Sequence, residues 1–175
     1  MRRRTAVLAG VAAVAAAAGG GTAWWRGRPS GDAAVAALPD LWSLTFPTLD
    51  GTNLRMADWR GRPLVLNFWA TWCGPCVTEM PLLDRFSKDR AASGWRVLAL
   101  AIDKREQVQQ FVTERSLGLP VALAGAEGID LSRGLGNTLG ALPFSVLFDS
   151  TGAPVARQLG ALTPELLSQW VGQTR

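Results

Sequence analysis

Cys73 and Cys76 are the two cysteines of the chain, separated by Gly74 and Pro75. Two thiols at that spacing, where a helix begins, have the makings of a disulfide-exchange centre. A sulfur at the start of a helix faces backbone N–H groups without partners and the positive end of the helix dipole, and both favour its anion. Free cysteine titrates near 8.5, and such settings bring it to about 7, which is about 2 kcal/mol of thiolate stabilisation. One turn further on, Cys76 falls on the buried side of Cys73. The roles follow: Cys73 attacks a substrate disulfide, then Cys76 attacks Cys73 and frees the reduced substrate. Gly74 and Pro75 keep the pair close, and a proline in the first turn removes only a donor that had no partner.

The competing readings of the pair are weak. A passive bridge across so short a loop constrains little of the unfolded chain. A zinc site needs about four protein ligands, or three and water, and the chain has no histidine. That absence also excludes histidine-ligated haem and the Ser-His-Asp and Cys-His nucleophiles. The expected cofactor list is therefore empty apart from the Cys73–Cys76 disulfide, and no metal is expected.

These thiols need a buried strand to carry them to the start of their helix. Residues 64–69 are apolar except for Asn67, the pattern of a strand covered on both faces. Residues 95–102 read the same way. Asp103 is placed to cap a helix reaching about Arg115, with Val108, Phe111 and Val112 inward. Residues 120–124 suit a short strand and 129–135 a short helix stopped by Gly136. Asp50-Gly51 between extended runs at 41–46 and 53–56 predicts a hairpin, and residues 149–152 between 144–148 and 154–159 predict a second. Thr163-Pro164-Glu165 opens a last helix. The sum is an α/β fold with a mixed sheet.

Charge assigns the rest of the chain a different task. Arg2, Arg3, Arg4, Arg26 and Arg28 hold five of the 18 basic residues, so 13 basic residues face 14 acidic ones beyond them. No basic stripe is left for nucleic acid. The three leading arginines precede an apolar stretch at 6–23, the layout of an export signal. The positive-inside rule holds them in the cytoplasm and sends the rest across the membrane. Gly21-Thr22-Ala23 is a passable cleavage site, whereas the length of the stretch and the Trp24-Trp25 pair favour retention as an anchor. The expected organisation is a signal or membrane anchor at 1–25, a flexible linker at 26–39 and one domain at 40–175.

The run Phe68-Trp69-Ala70-Thr71-Trp72-Cys73-Gly74-Pro75-Cys76, continued by Glu79 and Pro81, resembles the thioredoxin superfamily and, within it, the exported TlpA/ResA-like branch. The resemblance implies a thioredoxin-like fold, a mixed central sheet flanked by helices, with an N-terminal hairpin and an inserted strand–helix unit near 104–124. It identifies Pro143 with the family's cis-proline loop, so that Leu142 presents backbone groups to a substrate chain. Trp72, Gly74 and Pro75 join Leu142 and Pro143 as expected substrate contacts. Pro81 is expected to kink the cysteine helix. Plain thioredoxins carry a buried aspartate where this chain has Asn67, and an amide cannot take the resolving thiol's proton. Glu79, one turn after Cys76, shares its face and is the expected replacement; the alternative is a solvated surface glutamate.

The resemblance also implies a setting: the periplasmic side of the inner membrane, anchored there or released after signal cleavage. It implies protein disulfides as substrates, with apocytochrome c or a copper-site assembly protein foremost. A membrane thiol reductase of the DsbD/CcdA type is the implied electron donor. Gly-Pro between the cysteines resembles the reducing members, near −270 mV, rather than the oxidants near −120 mV. The competing functions are a thiol peroxidase of the peroxiredoxin type, a copper-binding factor of the Sco type (which uses a histidine absent here) and a general oxidant or isomerase.

Overall fold

The computed structural model describes residues 40–174; the expected signal or anchor at 1–25 and the linker at 26–39 lie outside the described residues. Seven strands and four α-helices follow in the order β1 (Thr45–Pro47), β2 (Asn53–Arg55), β3 (Leu64–Trp69), α1 (Gly74–Arg90), β4 (Arg96–Ala101), α2 (Arg105–Glu114), β5 (Val121–Leu123), α3 (Gly128–Gly134), β6 (Phe144–Phe148), β7 (Pro154–Leu159) and α4 (Pro164–Gln173). Strands β1 and β2 form the N-terminal hairpin. The others form one sheet in the order β5-β4-β3-β6-β7. Strands β3, β4 and β5 run parallel, whereas β6 runs antiparallel to both of its neighbours, β3 and β7, which makes the sheet mixed.

Strand β3 lies at the centre, hydrogen-bonded to β4 on one side and β6 on the other, and all six of its residues are buried. Its continuous apolar run is explained by this double cover. Alternate side chains enter two cores. Val65 and Trp69 join the cluster built from α1, α2 and α4. Leu64, Leu66 and Phe68 join a second, covered by α3 and by Leu41, Phe46 and Met56. Helix α2 and strand β5 occupy the region expected for the inserted unit, and β5 becomes the parallel edge of the sheet.

The turns form where small polar residues supply internal partners. In the first hairpin Asp50 Oδ1 accepts from the Thr52 backbone N–H at 3.0 Å, and Gly51 takes a φ of 87°. Thr163 caps α4 by accepting from the Leu166 N–H at 3.2 Å. Two local expectations are corrected. Residues 41–43 form a 3-10 turn instead of beginning the first strand, because Leu41 is drawn into the second core. Asp103 does not cap α2: the N-cap is Lys104, which makes no side-chain cap bond, and the Asp103 carboxylate is engaged with Thr71. Helix α1 continues through Pro81 to Arg90. Among the described residues no helix is long and apolar enough to cross a membrane.

Candidate active site

Strand β3 ends at Trp69, and a four-residue loop leads to α1, whose N-cap is Cys73. The loop is closed by the Cys73 N–H donating to the Ala70 carbonyl at 3.2 Å. At the cap, Cys73 Sγ accepts from the Cys76 N–H at 3.3 Å. One of the helix's unpaired donors thus points at the sulfur, as the helix-start reading requires. The two cysteines are joined as a disulfide. Their burial is unequal in the expected sense: Cys73 is 7% exposed and Cys76 is 0% exposed. Gly74 and Pro75 form the exposed first turn.

Trp72 stands beside the disulfide with 68% of its surface exposed, whereas Trp69 is fully buried and packs on Phe111 of α2 with ring centroids 5.2 Å apart. The Leu142–Pro143 peptide is cis. Register places it near the cysteines. Because β6 runs antiparallel to β3 and pairs Phe144 with Phe68, the two residues before Phe144 reach the end of β3 where the cysteine loop departs. Pro143 is buried and Leu142 half-buried, packed against the core that contains both cysteines. Sequence reasoning therefore named residues from two distant segments that the fold brings to one end of the sheet.

Glu79 is not a surface residue. The buried side of α1 is Cys76, Glu79, Met80, Leu83 and Phe86, a three-and-four spacing in which Glu79 occupies an apolar position. It is 3% exposed. Its Oε1 accepts from Asn67 Nδ2 at 2.8 Å, and its Oε2 accepts from the Leu162 backbone N–H at 2.6 Å. Burial nevertheless raises its pKa from 4.5 to about 7; the bonds from Leu162 and Asn67 pull the other way and lose. A carboxyl group near 7 can take and return a proton at neutral pH. It lies one turn from Cys76, on the same buried face.

Two participants were missed from the sequence. Ser145 Oγ accepts the second Asn67 amide hydrogen at 2.9 Å, across the β3–β6 register. It is the one polar residue in an otherwise apolar β6, and Asn67 holds the same place in β3; that shared oddity was a signal. Asp103 is the other. Its Oδ2 accepts from the Thr71 N–H at 3.0 Å and from the Thr71 hydroxyl at 2.5 Å.

Known proteins resemble this chain in sequence and in fold. A family model described as Redoxin matches residues 30–169. The thiol–disulfide oxidoreductase ResA of Bacillus anthracis is 33% identical over 124 residues, covering 70% of this chain and 69% of that protein. A ResA of Bacillus cereus is 34% identical over 125 residues, with the same coverage of 70% and 69%. Among solved structures, a thiol:disulfide interchange protein of the thioredoxin family from Chlorobium tepidum TLS superposes with a TM-score of 0.68 at 25% identity, covering 75% of this chain and 92% of that one. A secreted thiol–disulfide isomerase from Corynebacterium glutamicum gives a TM-score of 0.66 at 26% identity, covering 74% and 81%. The mixed sheet with flanking helices is the thioredoxin-like fold of these structures.

Proposed function

The chain belongs to the Redoxin family and is a thiol–disulfide oxidoreductase of the ResA type, and from that premise we propose that it reduces protein disulfides on the outer side of a cytoplasmic membrane. The observation that carries the reading is the unequal pair. A nearly enclosed sulfur caps a helix and accepts its N–H, and a wholly buried sulfur waits one turn behind it.

In the reduced protein the Cys73 thiolate attacks one sulfur of a substrate disulfide and expels the other as a thiolate. This leaves a mixed disulfide on Cys73. The Cys76 proton passes to Glu79, whose raised pKa suits it to receive one at neutral pH. The Cys76 thiolate then attacks Cys73 and releases the second substrate sulfur. Two electrons have moved from the cysteine pair to the substrate, and the Cys73–Cys76 disulfide remains. Trp72, the exposed first turn at Gly74 and Pro75, and the cis Leu142–Pro143 edge form the surface a substrate chain meets.

An oxidised pair outside the cytoplasm needs a supply of electrons, and a membrane thiol reductase of the DsbD/CcdA type is the proposed donor. Proposed acceptors are apocytochrome c or a copper-site assembly protein. Residues 1–25 would hold the domain at the membrane or direct its export.

The test is a trapping experiment with an oxidised peptide carrying the Cys-x-x-Cys pair of an apocytochrome. Cys76→Ser should accumulate a mixed disulfide through Cys73, and Cys73→Ser should form none. Normal exchange by Cys73→Ser overturns the reading. A reduction potential near the oxidants, about −120 mV instead of about −270 mV, would reverse the proposed direction.

A further inference from the structure

The ladder between β3 and β4 stops in an unusual way. The Ile102 N–H donates to the Trp69 carbonyl at 2.8 Å, so the parallel pairing runs from the last residue of β3 to the first residue past β4. In a parallel ladder the next donor would be the Thr71 N–H and the next acceptor the backbone carbonyl of Ile102, just past β4. Here the acceptor is a side chain: Asp103 Oδ2 takes the Thr71 N–H and the Thr71 hydroxyl together. Its other oxygen, Oδ1, accepts from the Lys104 N–H at 2.7 Å. A half-buried carboxylate therefore ends the ladder and holds the chain where it turns out of the sheet.

We propose that Asp103 is a positioning residue for the attacking thiol: its clamp on Thr71 sets the height at which Cys73 enters α1. This rests on the reading of Cys73 as the attacking sulfur. Thr71 is two residues before Cys73, and the loop between them is a tight turn closed at 3.2 Å. A shift at Thr71 is therefore passed on to the sulfur, which, apart from its disulfide bond to Cys76, accepts one modest hydrogen bond among the described residues, 3.3 Å from the Cys76 N. Without the clamp, Cys73 drifts from the donors and dipole that favour its anion. The carboxylate's own charge acts in the opposite sense, because an anion near the sulfur disfavours a thiolate. Geometry and charge are thus separable by substitution.

The experiment measures alkylation of the reduced full chain by iodoacetamide between pH 5 and 10, with the label located by mass spectrometry. The parent should label Cys73 with a midpoint below the ordinary thiol value of about 8.5. Asp103→Ala should raise that midpoint by about 0.5 to 1 unit and slow labelling at pH 7 by about three- to tenfold. Asp103→Asn keeps one oxygen for both Thr71 donors and should return the midpoint to within about 0.3 units of the parent. Thr71→Val loses the hydroxyl bond alone and should slow labelling about twofold. A merely structural clamp would lower the melting temperature of Asp103→Ala and leave the pH midpoint unmoved, and that result overturns the proposal. If Asp103→Ala does not fold, an unchanged profile in Thr71→Val overturns it instead. A parent whose Cys73 labels at the ordinary thiol midpoint refutes the attacking-sulfur reading and the proposal with it. A depressed parent midpoint that no variant moves refutes the role of Asp103 alone.

Discussion

Replacing Glu79 by Gln preserves the size of the side chain and removes its charge from the interior. Burial carries the carboxyl from 4.5 to about 7, and a shift of about 2.5 units corresponds to about 3 kcal/mol. The sign follows from linkage. Between those two values the folded protein holds a proton that the unfolded chain has lost, so stability falls as pH rises from about 4.5 to about 7 and is level above that. The Gln variant lacks this slope. It also finds partners, because Asn67 Oδ1 has none in the parent among the described residues. Turning the Asn67 amide offers that oxygen to the new Gln N–H, while the Gln carbonyl still accepts from Leu162. Urea unfolding of oxidised protein at pH 5, 6, 7 and 8 should show the variant gaining on the parent by about 2 to 3 kcal/mol across the series. The same variant should resolve the Cys73 mixed disulfide about a hundredfold more slowly at pH 7, the low end for a lost general base. Parallel stability profiles would refute the raised pKa, and an unchanged resolution rate would refute the role as base.

Leu66→Ala, at a fully buried site in the second core, should cost about 2 to 5 kcal/mol in urea unfolding. Gly128→Ala would bring its new Cβ to 2.7 Å from Ala124 Cβ and 2.8 Å from Ile102 Cγ1, and an overpacking loss of about 1 to 3 kcal/mol should appear in the same assay. Thr163→Ala removes the cap on α4 and should cost about 1 kcal/mol. Ser145→Ala leaves one Asn67 amide hydrogen without its acceptor and should cost about 1 to 3 kcal/mol in thermal unfolding.

Features carried by a few adjacent residues are legible in the sequence. The six-residue strand before the cysteines is marked by a run that is apolar apart from Asn67. Both hairpins were marked by turn residues whose side chains supply their own bonds, and α4 by Thr163-Pro164-Glu165. The cysteine pair was legible for the same reason, since spacing and helix start are local properties. Boundaries that depend on distant packing were misread. Residues 41–43 look extended in isolation and become a 3-10 turn because Leu41 is taken into a core. Asp103 carries the local signature of a helix cap, and a competing donor 32 positions away claims it.

Composition and spacing alone pointed to dithiol exchange at Cys73 and Cys76, because two thiols without a histidine cannot assemble a zinc site or a Cys-His nucleophile. They also determined which strand and helix carry it. Only the tertiary structure decided what surrounds the second thiol. Glu79 bonds a backbone group 83 positions away, and Asn67 reaches a serine 78 positions away. Whether a carboxyl in a helix is solvated or raised to about 7 depends on what those distant segments bury it against, because desolvation belongs to the enclosure and no stretch of neighbouring residues encodes it.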